Sequence, residues 1–172
     1  MIIAESTRLF LRPLHENDTD DLALVLSDET SMAHYPHPFT FKEVKRWIQR
    51  NIQRYHEDGF GLWAVIRTQD HLFLGDCGIT LQNIDGEMLP EIGFHIIKQY
   101  CNHGYASEAA ALCLNYAKAK LPYPAIYSYS RATNIPSQRV SEKIGMKKIK
   151  TYAKDGIEHV VYGYSFAVSS TE

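Results

Sequence analysis

The residues most able to do chemistry lie at positions 91–108, in a stretch with the pattern of a strand, a short loop and the start of a helix. The start of a helix leaves backbone N–H groups unpaired and carries a partial positive charge, so phosphate oxygens are its natural partners. Gly104 and Ala106 are small enough to let a bulky anion approach the backbone, and Asn102 and His103 could add side-chain donors. The stretch could therefore be a phosphate or pyrophosphate site. On the residues alone, a plain strand-to-helix turn whose N–H groups face water is the preferred interpretation, because short glycine-containing loops are common.

Other common binding motifs do not fit the sequence. The chain contains neither the G-x-x-x-x-G-K-[ST] pattern of P-loops nor the G-x-G-x-x-G pattern of dinucleotide-binding folds. His34 and His37 lie close together, but no cysteine or acidic residue nearby has the spacing of a metal ligand. We therefore predict no metal site.

The composition is that of an ordinary globular protein. The 172 residues are 45% hydrophobic and 22% charged, which suits one domain over residues 1–172 with a real core. The formal net charge of -2 provides no basic field for nucleic acid. The three cysteines are widely spaced, which argues against a disulfide framework and favours a reducing compartment. No apolar run reaches the ~20 residues that span a bilayer, and the N-terminal one is too short for a signal peptide, so we predict a cytoplasmic protein.

The elements that must position residues 91–108 alternate between short strands and helices. Apolar spacing and turn residues predict strands at 8–12, 62–67, 72–84, 90–97, 125–130, 147–152 and 158–168. Helices are predicted after residue 18 and at 40–58, 104–120 and 137–144. The strand ending at Ile97 reaches the strand at Ala125 through a helix, so those two strands should be parallel. The predicted fold class is α/β, with a mixed central sheet of about seven strands flanked by about four helices.

Short local signals support these boundaries. Thr40 and Glu43 have the spacing of a capping box, which predicts the start of the second helix. The pairs Asp85-Gly86 and Asp155-Gly156 predict tight turns between neighbouring strands, since Asp-Gly favours the backbone of a two-residue hairpin. The three strands between residues 62 and 97 therefore form an antiparallel meander in the prediction.

Residues 101–106, Cys-Asn-His-Gly-Tyr-Ala, resemble the acetyl-CoA loop of the GCN5-related N-acetyltransferase (GNAT) superfamily, whose motif is Gln/Arg-x-x-Gly-x-Gly/Ala. The surrounding sequence is similar to the branch that contains the ribosomal-protein N-terminal acetyltransferases of the Rim type. The similar segments, in chain order, are residues 7–14, 63–66, 74–79, 91–96 and 134–146. The resemblance covers nearly the whole chain and implies the single-domain fold of that superfamily.

The resemblance also implies which residues would hold acetyl-CoA. The strand ending near residue 97 would splay from its parallel neighbour, and the pantetheine arm would lie in the gap against the backbone of Phe94, His95 and Ile96. The pyrophosphate would rest on Cys101, Asn102, His103, Gly104, Tyr105, Ala106 and Ser107. Asn134 and Ser137 would lie along the CoA arm, or would merely cap their helix.

One position departs from the family motif. Cys101 stands where the family usually has Gln or Arg, or Trp in this branch. The loop contributes mainly backbone N–H groups, so binding should survive the change. Cys101 is then either an exposed, oxidisable thiol or an incidental small residue.

For catalysis, the resemblance implies direct attack of the amine on the thioester, without a covalent enzyme intermediate. An N–H near His95 or Ile96 would polarise the thioester carbonyl. Glu91 occupies a position where some family members keep a glutamate base, although it could equally be a structural carboxylate. Ser141 stands where many members have a tyrosine that protonates the leaving thiolate. A serine hydroxyl is a poor acid, but it can bond to sulfur or hold a water molecule. The loop between the first two helices would shape the acceptor pocket.

The predicted function is N-acetyl transfer from acetyl-CoA to a primary amine, either a protein N-terminus or a small molecule. An alternative is a non-catalytic module that binds acetyl-CoA as a sensor or docking domain. A third interpretation is a nucleotide-binding domain whose loop at 101–107 holds a different phosphate. The expected partner is the amine acceptor, with no nucleic acid and no membrane, and the protein is expected to be a monomer or homodimer.

Overall fold

One mixed sheet of eight strands runs through residues 1–166, the part of the chain that this computed structural model describes. The strands are β1 (Ala4–Glu5), β2 (Leu9–Pro13), β3 (Leu62–Arg67), β4 (Phe73–Ile84), β5 (Glu87–Ile96), β6 (Ala125–Arg131), β7 (Lys147–Lys154) and β8 (Ile157–Ser165). The helices are α1 (Thr19–Leu26), α2 (Phe41–Glu57), α3 (Tyr105–Lys120) and α4 (Ile135–Lys143), with short 3-10 turns at Glu16–Asp18 and Lys98–Tyr100. The predicted mixed α/β architecture is confirmed.

The strand order is β1-β2-β3-β4-β5-β6-β8-β7, and every neighbouring pair is antiparallel except β5 and β6. The chain passes from β5 through α3 to β6, so the predicted parallel crossover is confirmed. The prediction missed β1, which pairs with β2 through only two residues. Two residues cannot show an alternating pattern, so this strand leaves no signal in the sequence. The last predicted strand was to reach residue 168, and its final residues lie outside the described part of the chain.

Helices cover both faces of the central strands. In β3, Trp63 and Val65 belong to the core cluster that includes the buried side of α3. Ala64 and Ile66, which point the other way, belong to the cluster formed with α1 and α2. A strand buried on both faces has a continuous apolar run instead of alternation, which is the pattern of this strand in the sequence. Within residues 1–166, no helix is long and apolar enough to cross a membrane.

Helix α2 is fixed at its start and at its middle. The predicted capping box is present: the Glu43 N–H donates to Thr40 Oγ1 at 3.2 Å, and the Thr40 N–H donates to Glu43 Oε1 at 3.0 Å. Further along, the fully buried Asn51 accepts a hydrogen bond from the Leu62 N–H at 2.9 Å. This bond ties α2 to β3, and it thereby places Trp47 against β4.

Candidate active site

The candidate site is the gap where the parallel strands β5 and β6 separate. Within the described chain, the two strands pair only at Glu91 and Tyr127. The Ile97 N–H donates to the carbonyl of residue 74 on β4 at 2.8 Å. Backbone groups alternate sides along a strand, so those of Phe94 and Ile96 point away from β4. Because β6 has diverged at that height, these groups face the gap.

A cavity of about 1070 Å³ opens at this gap, between α2, β5, the loop at 101–107, β6 and α4. The predicted CoA-binding residues that line it are Phe94, His95, Ile96, Cys101, Asn102, Gly104, Tyr105, Ala106, Ser107, Asn134 and Ser137. His103 is not among the lining residues: its carbonyl accepts a hydrogen bond from Arg8 Nη1 at 3.0 Å, and its ring stacks on Tyr105. The structure thus brings the predicted CoA-binding residues together around one cavity, apart from His103.

The loop at 101–107 presents the start of α3 to the cavity. Asn102 (φ 64°) and Gly104 (φ 81°) are both left-handed, a conformation that Gly and Asn adopt most readily. No side chain caps α3, so its first N–H groups are left for an external acceptor. A Cβ built on Gly104 would lie 3.4 Å from Arg8 Nη2 and 3.8 Å from Lys143 Nζ. Two cations therefore flank the free N–H groups, and this end of the cavity suits a pyrophosphate.

Glu91 is a buried carboxylate at the point where β5 and β6 part. It is 9% exposed, and its Oε2 accepts a hydrogen bond from the Tyr129 N–H at 3.2 Å. Burial raises the pKa of Glu91 to about 8, and the hydrogen bond from Tyr129 opposes the rise. A Cβ built on Gly93 would lie 3.6 Å from Glu91 Oε1, so the carboxylate leans over that glycine. The same group can thus hold β6 in place and accept a proton near neutral pH.

A chain of polar side chains lies on the same face of β5 as Glu91. Trp47 Nε1 donates to Asp76 Oδ2 at 2.9 Å, while Asp76 Oδ1 lies 2.8 Å from His95 Nδ1. The other ring nitrogen, His95 Nε2, lies 2.7 Å from the Tyr35 hydroxyl. Burial raises the pKa of Tyr35 above its usual range, and the charges of Glu91 and Asp76 add to the rise.

The sequence did not indicate this chain of side chains, because it assigned His95 only a backbone role. Asp76 and His95 face each other in the antiparallel register of β4 and β5. The register of the two strands, had it been known, would have paired the two residues, since cross-strand neighbours on one face are in contact. Tyr35 lies in the loop between α1 and α2, and no sequence pattern places it beside His95.

Helix α4 contributes Asn134 and Ser137 to the cavity, but not Ser141. Asn134 Oδ1 accepts from the Ser137 N–H at 3.3 Å, so the helix-cap interpretation of this pair is confirmed while both residues also line the cavity. Ser141 is buried, and its hydroxyl donates to the Ser137 carbonyl at 3.3 Å. The helix begins at Ile135, two residues earlier than predicted, because a proline is tolerated in the first helical turn.

Cys101 is an exposed residue whose thiol bonds back to the preceding strand. Cys101 Sγ donates to the Ile96 carbonyl at 3.5 Å and lies 3.7 Å from the Ile97 carbonyl. Burial raises the pKa of the Cys101 thiol. A thiol with a raised pKa has little of the reactive thiolate at neutral pH, which disfavours the oxidisable role among the two predicted alternatives.

The loop between α1 and α2 closes one end of the cavity. His34 and Tyr35 line it, whereas His37 Nε2 lies 3.1 Å from Glu43 Oε2 and outside the cavity lining. His34 Nδ1 lies 3.3 Å from Thr133 Oγ1, in the connection between β6 and α4. The loop therefore reaches across the gap between β5 and α4. Within residues 1–166, no group of three or more His, Cys, Asp or Glu side chains could hold a metal ion.

Comparison with known sequences identifies relatives over most of the chain. A family model described as an acetyltransferase (GNAT) domain matches residues 8–147. YkkB of Bacillus subtilis (strain 168), an uncharacterized protein, is 31% identical over 148 residues, which are 86% of this chain and 86% of YkkB. YnaD of the same strain, an uncharacterized N-acetyltransferase, is 31% identical over 142 residues, which are 82% of this chain and 80% of YnaD.

Solved structures share the fold over nearly the full length. An acetyltransferase (GNAT family) from Bacillus anthracis has a TM-score of 0.81 at 26% identity, covering 96% of this chain and 98% of that one. RimL, a ribosomal L7/L12 alpha-N-protein acetyltransferase in complex with coenzyme A, has a TM-score of 0.77 at 16% identity, with the same coverage of both chains. At that identity, the likeness to RimL shows the fold alone.

Proposed function

The chain belongs to the acetyltransferase (GNAT) family, and from that premise we propose that it transfers the acetyl group of acetyl-CoA to a primary amine by direct attack. The position of Glu91 carries the proposal. This buried carboxylate, with its pKa raised to about 8, lines the same cavity as the free N–H groups at the start of α3. Acyl transfer from a phosphate-bearing thioester to an amine needs both an anion site and a proton acceptor. The proposal treats residues 1–172 as one acetyltransferase domain.

The donor side of the cavity suits CoA in two places. The N–H groups of residues 105–107 would receive the pyrophosphate, with Arg8 and Lys143 supplying positive charge beside Gly104. The backbone groups of Phe94 and Ile96 that face the gap would pair with the amides of the pantetheine arm. Asn134 and Ser137 would border the arm from α4.

The reaction would proceed at the point where β5 and β6 part. The acceptor would arrive as an ammonium ion, and the ionised Glu91 would take one proton to leave a nucleophilic amine. The amine nitrogen would then attack the thioester carbonyl. Of the two N–H groups named from the sequence, that of Ile96 faces the gap, so it is the better placed to stabilise the oxyanion. Collapse of the intermediate would break the C–S bond and release CoA.

The acceptor is proposed only as a primary amine, because both a protein N-terminus and a small amine meet this chemistry. A thiol-release assay with acetyl-CoA tests the proposal against a panel of short peptides, amino acids, polyamines and aminoglycosides. Release that depends on one acceptor class, and acetylation of that acceptor by mass spectrometry, would establish the function. The matched variant is Glu91→Gln, which keeps the size of the side chain and removes its charge.

Calorimetry with CoA separates the alternatives. Tight CoA binding with no thiol release for any acceptor would indicate that the protein is a non-catalytic acetyl-CoA sensor or docking module. Binding of ATP or NAD as tight as that of CoA would indicate that the loop at 101–107 serves a different phosphate. Selective CoA binding together with turnover would exclude both alternatives.

A further inference from the structure

Three side chains from three elements form a hydrogen-bonded chain that ends in the cavity. Tyr35 comes from the loop between α1 and α2, His95 from β5 and Asp76 from β4. We infer that this chain is a proton relay, in which Tyr35 and His95 take the second proton of the attacking nitrogen and return it to the leaving sulfur. The inference rests on the proposed function, since it assigns proton carriers to that acetyl transfer.

The direction of each hydrogen bond follows from Asp76. Its carboxylate is fully buried, and its two oxygens lie 2.9 Å from Trp47 Nε1 and 2.8 Å from His95 Nδ1. The Nδ1–H tautomer of His95 fits this geometry, because the Asp76 carboxylate takes the Trp47 N–H on one oxygen and can accept from Nδ1 on the other. Nε2 is then an acceptor, and the Tyr35 hydroxyl donates to it at 2.7 Å. The lone pairs of the Tyr35 oxygen remain for a partner in the cavity.

The relay and Glu91 lie on the same face of β5, on either side of Gly93. Glu91, Gly93 and His95 lie on one face of β5, because side chains two residues apart share a face. Glu91 and His95 are therefore separated by roughly 13 Å of strand, at about 3.3 Å per residue. Gly93 between them has no side chain, which leaves room for an amine. An amine above Gly93 would lie between the Glu91 carboxylate and the Tyr35 hydroxyl, both of which border the same cavity.

The protons of the reaction balance when Glu91 carries the first proton and the Tyr35–His95 pair carries the second. Glu91 takes the first proton from the ammonium ion and releases it to water. After the C–N bond forms, the nitrogen of the intermediate is cationic. The Tyr35 oxygen accepts one of its protons while the Tyr35 hydroxyl proton moves to His95 Nε2, and Asp76 stabilises the imidazolium. When the C–S bond breaks, the proton returns through Tyr35 to the thiolate. The net release is one proton, with the relay restored.

Packing alone does not account for this polar chain. The loop is already held by aromatic contacts: the Phe39 and Trp47 rings lie 5.6 Å apart, and the Trp47 and His95 rings 5.7 Å apart. A buried carboxylate is costly unless it is paired, and an apolar contact would hold the loop as well. The leaving sulfur also needs a proton, but Ser141 does not line the cavity, and its hydroxyl donates to the Ser137 carbonyl.

The first test is Tyr35→Phe, which removes the hydroxyl and keeps the ring that packs 5.5 Å from the His95 ring. We expect kcat to fall on the order of 100-fold, the lower end of what a general acid–base group contributes. The KM for acetyl-CoA should not change. Tyr123→Phe is the matched control, because Tyr123 packs on Phe60 in the main core and does not line the cavity. A purely structural role would lower the Tm of Tyr35→Phe, or raise its KM, with kcat intact.

The second test reads the relay without turnover. The 15N NMR signals of the His95 ring in the wild type should show the Nδ1–H tautomer, and Asp76→Asn should change them. An Nε2–H tautomer in the wild type would overturn the relay. If the wild type acetylates no amine, the proposed function fails and the relay fails with it. If the wild type turns over and Tyr35→Phe matches it at saturating substrates across pH 6 to 9, only the relay fails.

Discussion

The two ends of the cavity are built from different parts of the chain. The donor side, residues 94–96 and 101–107, offers mainly backbone N–H and C=O groups, which the strand splay and the uncapped α3 leave free. The acceptor side consists of the side chains of Glu91, His95 and Tyr35, which come from β5 and from a loop 60 residues away from it. Backbone groups suit the pyrophosphate and the pantetheine amides, which are the same in every CoA thioester. Side chains, in contrast, can differ between proteins to suit one acceptor and to transfer protons.

This difference has a consequence for mutations. A side chain added on the donor side should abolish CoA binding, because CoA is proposed to lie directly against the backbone there. A side chain exchanged on the acceptor side should leave CoA affinity intact and change kcat, pH dependence or the KM for the amine. The two sides can therefore be separated by measuring binding and turnover on the same variants.

The largest effect is expected for Gly104→Glu. A glutamate at position 104 would be strained by the left-handed backbone (φ 81°). Its side chain would block the approach of the pyrophosphate, and its negative charge would repel it. We expect CoA affinity in calorimetry to fall at least 100-fold, since the added carboxylate would also occupy Arg8 and Lys143. Gly86→Glu is the control: it puts the same residue on a similar backbone (φ 88°) in the β4–β5 turn, with open space around it. Equal affinity for both variants would mean that the donor side lies elsewhere.

Glu91→Gln should reduce turnover and leave CoA binding unchanged. The loss in kcat should be about 10² to 10³, within the range of a general base. Glu87→Gln, at the exposed start of the same strand, should behave as the wild type. A Glu91→Gln variant with full kcat would leave Glu91 with its structural role alone, holding the Tyr129 N–H.

The pH dependence should follow Glu91. Its pKa of about 8 makes the ionised form scarce below that pH in the free enzyme, so kcat/KM should rise roughly tenfold per pH unit up to about 8 and then level off. The rise should be absent in Glu91→Gln. A wild-type profile that is flat from pH 6 to 9 would contradict a base with this pKa.

The same shift predicts an effect on stability. The folded protein holds the Glu91 proton more tightly than the unfolded chain, where the pKa is near 4.5, so stability from this group falls as the pH rises between those values. Each pH unit corresponds to about 1.4 kcal/mol. Relative to the wild type, Glu91→Gln should therefore gain about 2 to 3 kcal/mol in free energy of unfolding between pH 6 and pH 8. Urea titrations of both proteins at the two pH values measure this gain, and parallel curves would contradict it.

The smallest effect is expected for Gly93→Ala. The new methyl would lie 3.6 Å from Glu91 Oε1 and 3.7 Å from the Leu62 side chain, which are ordinary contacts, so the fold should be kept. The methyl would take space above β5 where the amine is proposed to lie. We expect the KM for the acceptor to rise several-fold while CoA affinity is unchanged. An unchanged KM for the acceptor would mean that the amine does not bind above Gly93.

The strand, loop and helix start that we propose to hold CoA could be predicted from the sequence because their signals are local. A glycine before a helix, a small residue two positions later and a strand before the loop all lie within residues 91–108. The capping box of α2 and the crossover from β5 to β6 are local in the same sense. His103 shows the limit, since its side chain suggested a donor to the cavity, whereas its ring stacks on Tyr105 and its Nδ1 lies 2.8 Å from the Cys101 carbonyl.

The acceptor side could be predicted only in part. The family resemblance named Glu91 as a candidate base, but its raised pKa depends on burial between two strands, opposed by the Tyr129 N–H, which the sequence does not show. The pairing of Tyr35 with His95 depends on how a loop lies over the sheet. Ser141 shares the helix of Ser137, yet its inward direction depends on how α4 packs, not on its spacing.

The loop between α1 and α2 reaches across the gap and carries Tyr35 and His34, while Met32 is its deeply buried anchor. Surface loops accept changes of length and sequence more easily than the sheet beneath them. Such an arrangement allows acceptor choice to diverge during evolution by exchange of this one segment. The backbone of β5 and α3, which we propose to hold acetyl-CoA, would pass unchanged from one substrate specificity to the next.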